Sequence, residues 1–260
     1  MNKEKYRKIF LIGILILIGI LLAFFPELDN KLEEYLIESE TVFIDRVIDG
    51  DTVESNGSSI RLLGINTPEK GEKYYGEAKE LLENLVLNKT VILKFGKERE
   101  DRYGRSLAYL YYKNENINLK IVEEGYANIY FPSGKDMNYN KFYLAWRECN
   151  KNLCEKSEDI CANCISLIDL DYKKELIIFE NICDYDCNLT NWEIKDEGRK
   201  KFVFSEFVLG KNKHVNILTG KGSNSENTLF WKNQNYVWTD SGDSLFLRDD
   251  RGKLVLFESY

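Results

Sequence analysis

Alternation of apolar and polar residues predicts a series of short strands in the first half of the chain. The alternating segment 42–48 leads into an acidic corner, Asp49-Gly50-Asp51, and Asn56-Gly57 is a strong hairpin signal before the apolar run 60–65. The pattern also predicts strands over 90–95 and 106–112, a charged loop over 97–102, and helices over 74–87, 118–124 and 139–149. Five short strands with helices indicate an α+β OB-fold, a five-stranded barrel often used to bind single strands.

The last hundred residues alternate short apolar segments with turns that contain glycine. This composition predicts an all-β domain over 165–260, and around seven strands in that length are typical of an immunoglobulin-like sandwich. The predicted strands cover 165–170, 175–181, 192–195, 201–204, 214–218, 244–247 and 254–258.

The N-terminus has the pattern of a targeting element. Four basic residues within the first eight precede an uncharged apolar run over 9–25, and no small-x-small cleavage site follows. This favours an uncleaved signal anchor over 1–26, that is, an N-terminal transmembrane helix, with a cleaved signal peptide as the alternative. The basic flank then stays in the cytoplasm, so both later domains are expected outside the cell, tethered to its membrane or secreted. Residues 27–40 are predicted to be a linker.

Composition narrows the chemistry further. A length of 260 residues allows two domains, and a net charge of −7 does not suit a protein that only coats nucleic acid. His214 is the single histidine, which excludes nucleases with histidine-rich metal sites and argues against a Ser-His triad.

Oxygen-bearing side chains cluster around the predicted hairpin. The hairpin carries Asp51 back alongside Asn66, Thr67 and Glu69. Carboxylate, amide and carbonyl oxygens are ligands for a hard cation, and Ca²⁺ is the usual choice. Glu69 follows a proline, which suits a positioned loop base.

Two arginines complete the candidate chemistry. Arg61 lies in the middle of the returning strand, and Arg105 ends the sequence D-R-Y-G-R. A cation and two guanidinium groups can offset charge that develops on phosphorus, while a carboxylate orients or deprotonates water. The set predicts phosphodiester hydrolysis.

Three motifs in order, I-D-G-D-T-V, I-R-L-L-G-I-N-T-P-E and D-R-Y-G-R-S-L-A-Y-L-Y, resemble the staphylococcal nuclease (thermonuclease) family over 41–154. The resemblance implies the same OB-fold and a cut that leaves a 3′-phosphate. It also implies a set of roles: calcium ligands at Asp51, Asn66 and the Thr67 carbonyl, a general base at Glu69, and phosphate-binding arginines at Arg61 and Arg105.

The chain departs from that family at one calcium ligand. Many members carry Asp where this chain has Asn66, so one negative charge is lost, and Asn66→Asp is expected to tighten Ca²⁺ binding. The resemblance also places Tyr126, Tyr130 and Phe131 near the substrate base, with packing in the core as the alternative for these aromatic residues.

Six cysteines lie at the end of the first domain and beyond it. In an exported chain an even count favours disulfides, but C-x2-C at the second pair keeps a structural Zn²⁺ on the first four as the alternative. Residues 155–164 are therefore predicted to be a cysteine-rich linker. The cysteines are Cys149, Cys154, Cys161, Cys164, Cys183 and Cys187.

The last domain resembles the lamin-tail family. The similarity covers 165–260 through E-L-I-I-F-E-N, N-L-T-N-W-E-I-K-D-E and V-W-T-D-S-G-D-S-L-F-L-R-D-D-R-G. It implies that Trp192 and Trp238 belong to the core. The partner of such a domain stays open between another protein, a cell-surface component and nucleic acid.

Two functions follow from the sequence. The first is a membrane-anchored or secreted, Ca²⁺-dependent endonuclease acting on DNA, RNA or both. The alternative is a non-catalytic nucleic-acid-binding or uptake module that keeps the barrel without the chemistry. Retention of Arg61, Glu69 and Arg105 favours the enzyme.

Overall fold

The structure, a computed structural model, describes Gly13, Ile14, Ile18, Gly19, residues 38–232 and residues 234–260. The predicted signal anchor over 1–26 lies almost wholly outside these residues. No helix within the described part of the chain is long and apolar enough to cross a membrane. Residues 40–260 form one compact unit that contains both predicted domains.

The first domain is α+β, as predicted. Its main sheet contains seven strands in the order β1-β6-β7-β4-β3-β2 with β8 beside β7, and β5 pairs separately with β9. The elements are β1 Ser39–Phe43, β2 Arg46–Asp49, β3 Thr52–Ser55, β4 Ser58–Leu62, β5 Gly64–Asn66, α1 Tyr75–Val86, β6 Thr90–Glu100, β7 Ser106–Tyr112, β8 Glu115–Asn116, α2 Ile117–Glu123, β9 Asn128–Tyr130, α3 Tyr139–Glu148 and a 3₁₀ turn at Asn152–Cys154.

Strand boundaries differ from the sequence prediction at three places. The predicted strand 42–48 is two strands, β1 and β2. The run 60–65 divides into β4 and β5, because Gly64 has φ +76° and turns the chain out of the main sheet. Strand β6 continues through the predicted charged loop to Glu100, which pairs with Ser106. Residues 97–100 at the end of β6 are exposed, so they do not need alternating apolar side chains to form a strand. Their charged sequence therefore gave no strand signal.

The second domain is sandwich-like. Two four-stranded sheets, β10-β11-β16-β17 and β14-β13-β18-β19, enclose a core that includes Trp192 and Trp238. Every predicted strand is present, and β12, β15 and β17 are additional. The strands are β10 Ile165–Asp171, β11 Leu176–Asn181, β12 Cys187–Asn188, β13 Glu193–Lys195, β14 Lys201–Val203, β15 Val208–Leu209, β16 His214–Thr219, β17 Thr228–Trp231, β18 Ser244–Arg248 and β19 Leu254–Ser259.

Strand β18 is buried along its whole length and joins the two domains. Leu245 and Leu247 face the core of the sandwich, whereas Phe246 belongs to the core of the first domain. The Phe246 ring lies edge-on to Trp146 of α3, with ring centroids 5.4 Å apart, and stacks on Phe257 of β19. The two domains therefore share one continuous apolar layer across their interface.

The six cysteines form three disulfides, Cys149–Cys154, Cys161–Cys187 and Cys164–Cys183. The first pair closes the end of the first domain. The other two tie the segment before β10 to the segment around β12. Because Cys161 and Cys164 pair with later cysteines, the first four do not form the tetrahedral zinc cluster that was the alternative.

Three carboxyl groups are buried where the β13–β14 loop meets the segment before β18. Asp196, Glu197 and Asp243 are between 3% and 7% exposed. Burial, and then the charge of Asp243, raise the pKa of Glu197 to about 8 and that of Asp196 to about 7. Burial raises the pKa of Asp243 to about 6. The folded chain therefore holds protons on this cluster at pH values where ordinary carboxyl groups are ionised.

This carboxyl cluster predicts that stability falls as pH rises from 5 to 8. In that window the folded state binds more protons than the unfolded state, whose carboxyl groups ionise near 3.8 and 4.5, so the free energy of unfolding decreases. We expect the melting temperature from scanning calorimetry to drop by at least about 5 °C. Asp243→Asn should flatten the profile, and a melting temperature that rises through this window would contradict the assignment.

Candidate active site

The acidic corner between β2 and β3 is pressed against the segment that follows β5. A Cβ at Gly50 would lie 2.8 Å from Thr67 Oγ1 and 2.8 Å from the Ala78 Cβ of α1. Only glycine leaves room for this close approach. The corner thereby brings Asp51 within hydrogen-bonding reach of Thr67.

The Asp51 carboxylate is a buried centre of hydrogen bonds, with 6% of the residue exposed. Its Oδ2 accepts hydrogen bonds from Thr67 N at 2.8 Å and from Thr67 Oγ1 at 2.9 Å. Its Oδ1 accepts from Thr52 Oγ1 and pairs with Arg61 Nε, both at 3.1 Å. A buried carboxylate with four donors is held in one orientation.

Arg61 is buried beside this carboxylate. Besides Asp51, its guanidinium donates to the Leu62 carbonyl at 2.7 Å and to Asn66 Oδ1 at 3.3 Å. The guanidinium carbon of Arg61, Cζ, lies 5.9 Å from the centre of the Tyr130 ring. One oxygen of Asp51 and one of Asn66 therefore converge on the same positive charge.

The chemistry of the donor set, not the convergence on Arg61, is what fits a cation. Asp51, Asn66 and Thr67 offer carboxylate, amide and carbonyl oxygens, the donor set that Ca²⁺ prefers. Across residues 38–232 and 234–260, no group of three or more His, Cys, Asp or Glu side chains could hold a metal ion. A cation here would therefore depend on amide and backbone oxygens as well as on Asp51.

Glu69 is separate from the buried pair and half exposed. Its side chain is 44% exposed, and Oε1 lies 2.7 Å from Nε of Arg199 in the second domain. Glu69 N donates to Glu72 Oε2 at 2.9 Å, which fixes the turn after Pro68. The carboxylate is therefore accessible to water, as a general base must be.

Arg105 is held in the turn between β6 and β7. Asp101 accepts hydrogen bonds from the Arg105 backbone at 3.0 Å and from its Nε at 2.7 Å. Partial burial alone would raise the pKa of Asp101, but these bonds from Arg105 hold that pKa below its ordinary value. Gly104, with φ +75°, makes the turn possible. Within the described chain, Arg105 forms its ion pair with Asp101 and shows no hydrogen bond or ion pair with Arg61 or Glu69.

The two predicted substrate tyrosines differ in position. Tyr130 of β9 lies beside Arg61, whereas Tyr126 packs on the first core with its ring edge-on to Tyr74 at 6.1 Å. Phe131 is 7% exposed and belongs to that core. Of these three predicted aromatic residues, Tyr130 is the one that lies beside Arg61.

The loop between β13 and β14, residues 196–200, reaches the site from the second domain. Asn66 Nδ2 donates to the Glu197 carbonyl at 3.2 Å and to the Gly198 carbonyl at 2.7 Å. Nearby, Lys195 Nζ pairs with Glu72 at 3.0 Å. The sequence K-D-E-G-R-K signals a charged hairpin turn, but nothing in it indicates which surface the turn contacts.

Comparison with known proteins identifies both halves of the chain. Residues 59–153 match the family model described as staphylococcal nuclease homologue, and 162–260 match the Lamin Tail Domain model. A thermonuclease of Staphylococcus intermedius is 32% identical over 125 residues, which cover 44% of this chain and 74% of the relative. The chain belongs to the staphylococcal nuclease family. Its second half carries a lamin-tail domain.

Two other relatives belong to the same set. An uncharacterized endonuclease of Haemophilus influenzae is 34% identical over 116 residues, covering 43% of this chain and 62% of the relative. A thermonuclease of Staphylococcus hyicus is 34% identical over 102 residues, covering 35% of this chain and 60% of the relative. The chain thus spans a little under two thirds of the length of these two relatives.

The acidic corner predicts a specific sensitivity at Gly50. The Cβ of Gly50→Ala would overlap Thr67 and Ala78, so we expect a loss of about 1–3 kcal/mol in the free energy of unfolding, measured in urea. Gly76→Ala is the matched control. Gly76 lies in α1 with no atom within 4 Å of an added Cβ, so this change should be neutral or slightly stabilising. Equal effects at both positions would contradict the packing argument.

Proposed function

We propose that the protein is a calcium-dependent endonuclease that hydrolyses phosphodiester bonds of DNA, RNA or both. The observation that carries the proposal is the buried Arg61 guanidinium, which binds Asp51 Oδ1 and Asn66 Oδ1, while Glu69 on the loop after β5 remains accessible to water. Membership of the staphylococcal nuclease family supports it, because the Staphylococcus and Haemophilus relatives are named as thermonucleases or as an endonuclease.

Arg61 and Arg105 are assigned to the phosphate. The contacts of Arg61 engage three of its five guanidinium N–H groups, which leaves two for phosphate oxygens. Arg105 is pre-oriented by Asp101 and partly exposed, so it can approach the same phosphate from solvent. Two fixed guanidinium groups stabilise the charge that accumulates on phosphorus as water adds.

Glu69 is assigned as the group that orients and deprotonates the attacking water. It lies on a loop fixed by Pro68 and by the hydrogen bond to Glu72, and its carboxylate reaches solvent. A water held there loses its proton to Glu69 as its oxygen bonds to phosphorus. The bond from phosphorus to the 5′ oxygen breaks on the opposite side, and that oxygen takes a proton from solvent water to become the hydroxyl. By family resemblance we propose that the products carry 3′-phosphate and 5′-hydroxyl ends.

Asp51, Asn66 and the Thr67 carbonyl are the residues that would hold Ca²⁺. When bound, Ca²⁺ supplies a positive charge that polarises a phosphate oxygen. The chain itself positions these oxygens through the Gly50 corner and the Thr67 hydrogen bonds to Asp51.

Location remains part of the proposal. The basic flank and the apolar run over 9–25 support an anchored protein whose two domains face the exterior, and three disulfides suit an oxidising compartment. External protease should then remove both domains from intact cells. Recovery of a soluble product that starts near residue 27 would instead identify a cleaved signal.

The catalytic assignment predicts large losses of rate on single substitutions. Arg61→Ala and Arg105→Ala should each lower kcat by ~10²–10³, because each removes an oriented charge donor. Glu69→Gln should lose a comparable factor with KM nearly unchanged, since its help enters only in the transition state. Rates are measured on single-stranded DNA, duplex DNA and RNA, with millimolar Ca²⁺ or with a chelator.

Matched controls are available close to each arginine. Arg46 is exposed on β2 and pairs with Glu54, and Arg102 is an exposed neighbour of Arg105 in the same turn. Arg46→Ala and Arg102→Ala should retain nearly full activity. If Glu69→Gln and Arg61→Ala match wild type, the assignment is wrong. If wild type does not cleave in Ca²⁺, the non-catalytic binding module becomes the better description.

A further inference from the structure

The amide of Asn66 has two chemically different ends, and each meets a different partner. Oxygen Oδ1 can only accept hydrogen bonds and Nδ2 can only donate them. Oδ1 faces Arg61, while Nδ2 donates to two carbonyl oxygens of the second domain, those of Glu197 and Gly198. Asn66 is 5% exposed, so both ends of its amide are engaged mainly by these protein partners.

The two carbonyls are presented by a loop that is fixed within its own domain. Asp196 Oδ1 accepts from Lys200 N at 2.8 Å and Asp196 N donates to the Lys200 carbonyl at 3.1 Å, which closes the loop. Glu197 N is anchored on Asp243 Oδ1 at 3.2 Å. Two ion pairs attach the loop to the first domain: Lys195, just before the loop, pairs with Glu72, and Arg199 within it pairs with Glu69.

We propose that the loop 196–200 of the lamin-tail domain is a positioning element of the nuclease site. Its Glu197 and Gly198 carbonyls hold the amide of Asn66 so that Oδ1 points toward Arg61, and they require an amide at this position. The effect of this loop on Ca²⁺ binding rests on the proposed function. Without the loop, the amide is free to turn its NH₂ group inward, where it would repel a cation.

The same contacts reverse the expectation drawn from the sequence for Asn66→Asp. A carboxylate has no hydrogen to donate, so one of its oxygens would face the carbonyl oxygens of Glu197 and Gly198, in a buried and a partly buried contact. Those carbonyls would also lose their hydrogen-bond donor, which is costly at least for the buried contact of Glu197. The added negative charge therefore cannot tighten Ca²⁺ binding while the loop is docked. The NH₂ group of Asn66 is therefore complementary to the two carbonyl oxygens that the second domain presents.

The decisive experiment is a four-variant cycle in the purified full chain in a nonionic detergent. One arm is Asn66→Asp. The other replaces residues 196–200 with Asn-Gly, a two-residue hairpin turn that keeps the Lys195–Lys201 pair and removes the projecting carbonyls. Ca²⁺ affinity is measured by titration calorimetry and the melting temperature by scanning calorimetry, with cleavage rate as a third readout.

We expect the effect of Asn66→Asp to change sign between the two loops. With the native loop, it should lower the melting temperature and leave Ca²⁺ affinity unchanged or weaker. Loop replacement alone should weaken Ca²⁺ at least about tenfold, and Asn66→Asp in that background should restore the affinity. Equal tightening by Asn66→Asp in both backgrounds would overturn the proposal.

Asn128→Asp is the matched control. Asn128 is the cross-strand partner of Asn66, equally buried, but its Oδ1 accepts a hydrogen bond from Arg248 at 3.2 Å. A carboxylate there keeps the acceptor and faces a cation, so the melting temperature should not fall. If the shortened loop prevents folding, these two single substitutions in the native loop decide the question. Equal losses of melting temperature for Asn66→Asp and Asn128→Asp would overturn the proposal.

Failure of the proposed function gives a different pattern. If no variant binds Ca²⁺, the calcium assignment is wrong, and the melting temperatures alone test the match between amide and loop. A drop for Asn66→Asp that disappears on loop replacement would support that match. A drop of the same size in both backgrounds would reject it.

Discussion

Burial of strand β18 on both faces is the constraint on which the rest of the structure depends. A strand normally covers one core, but Leu245 and Leu247 fill the sandwich while Phe246 fills the first domain. Arg248, at the end of the same strand, donates to Asn128 and to the Leu153 carbonyl of the first domain. Separating the domains would expose aromatic surface and a buried guanidinium together, so they are expected to behave as one cooperative unit.

That shared layer determines what reaches the candidate site. With β18 fixed, the neighbouring strand β13 and its loop are held over the segment that follows β5. Glu197 and Gly198 then meet Asn66, Lys195 meets Glu72, and Arg199 meets Glu69. The lamin-tail domain is therefore part of the walls of the site, although its sequence contains no constellation of catalytic residues.

The buried charged groups in this region depend on partners within the protein, because solvent does not reach them freely. The Asp51–Arg61 pair is buried but satisfied, because each group has further hydrogen bonds. Asp196, Glu197 and Asp243 have too few cations to compensate for burial, and their pKa values rise accordingly. This carboxyl cluster lies where the 196–200 loop contacts the first domain, which links the stability of domain packing to pH.

The sequence alone determined the parts of this protein that depend on local chemistry. The Asn56-Gly57 turn, the D-R-Y-G-R turn closed by Asp101 and the apolar spacing of α1 act over a few residues, so most strands and helices could be predicted. Tertiary structure decided what distant segments do to one another: the pairing of Cys161 with Cys187, the double burial of β18, and the contact of the 196–200 loop with Asn66. Position 66 illustrates the difference. In the sequence, Asn66 indicates only that a negative charge is absent, whereas in the fold its amide donates hydrogen bonds to two carbonyls 131 and 132 residues away. Local patterns encode turns and periodicity, whereas the partner of a buried polar group is fixed only when the two surfaces pack.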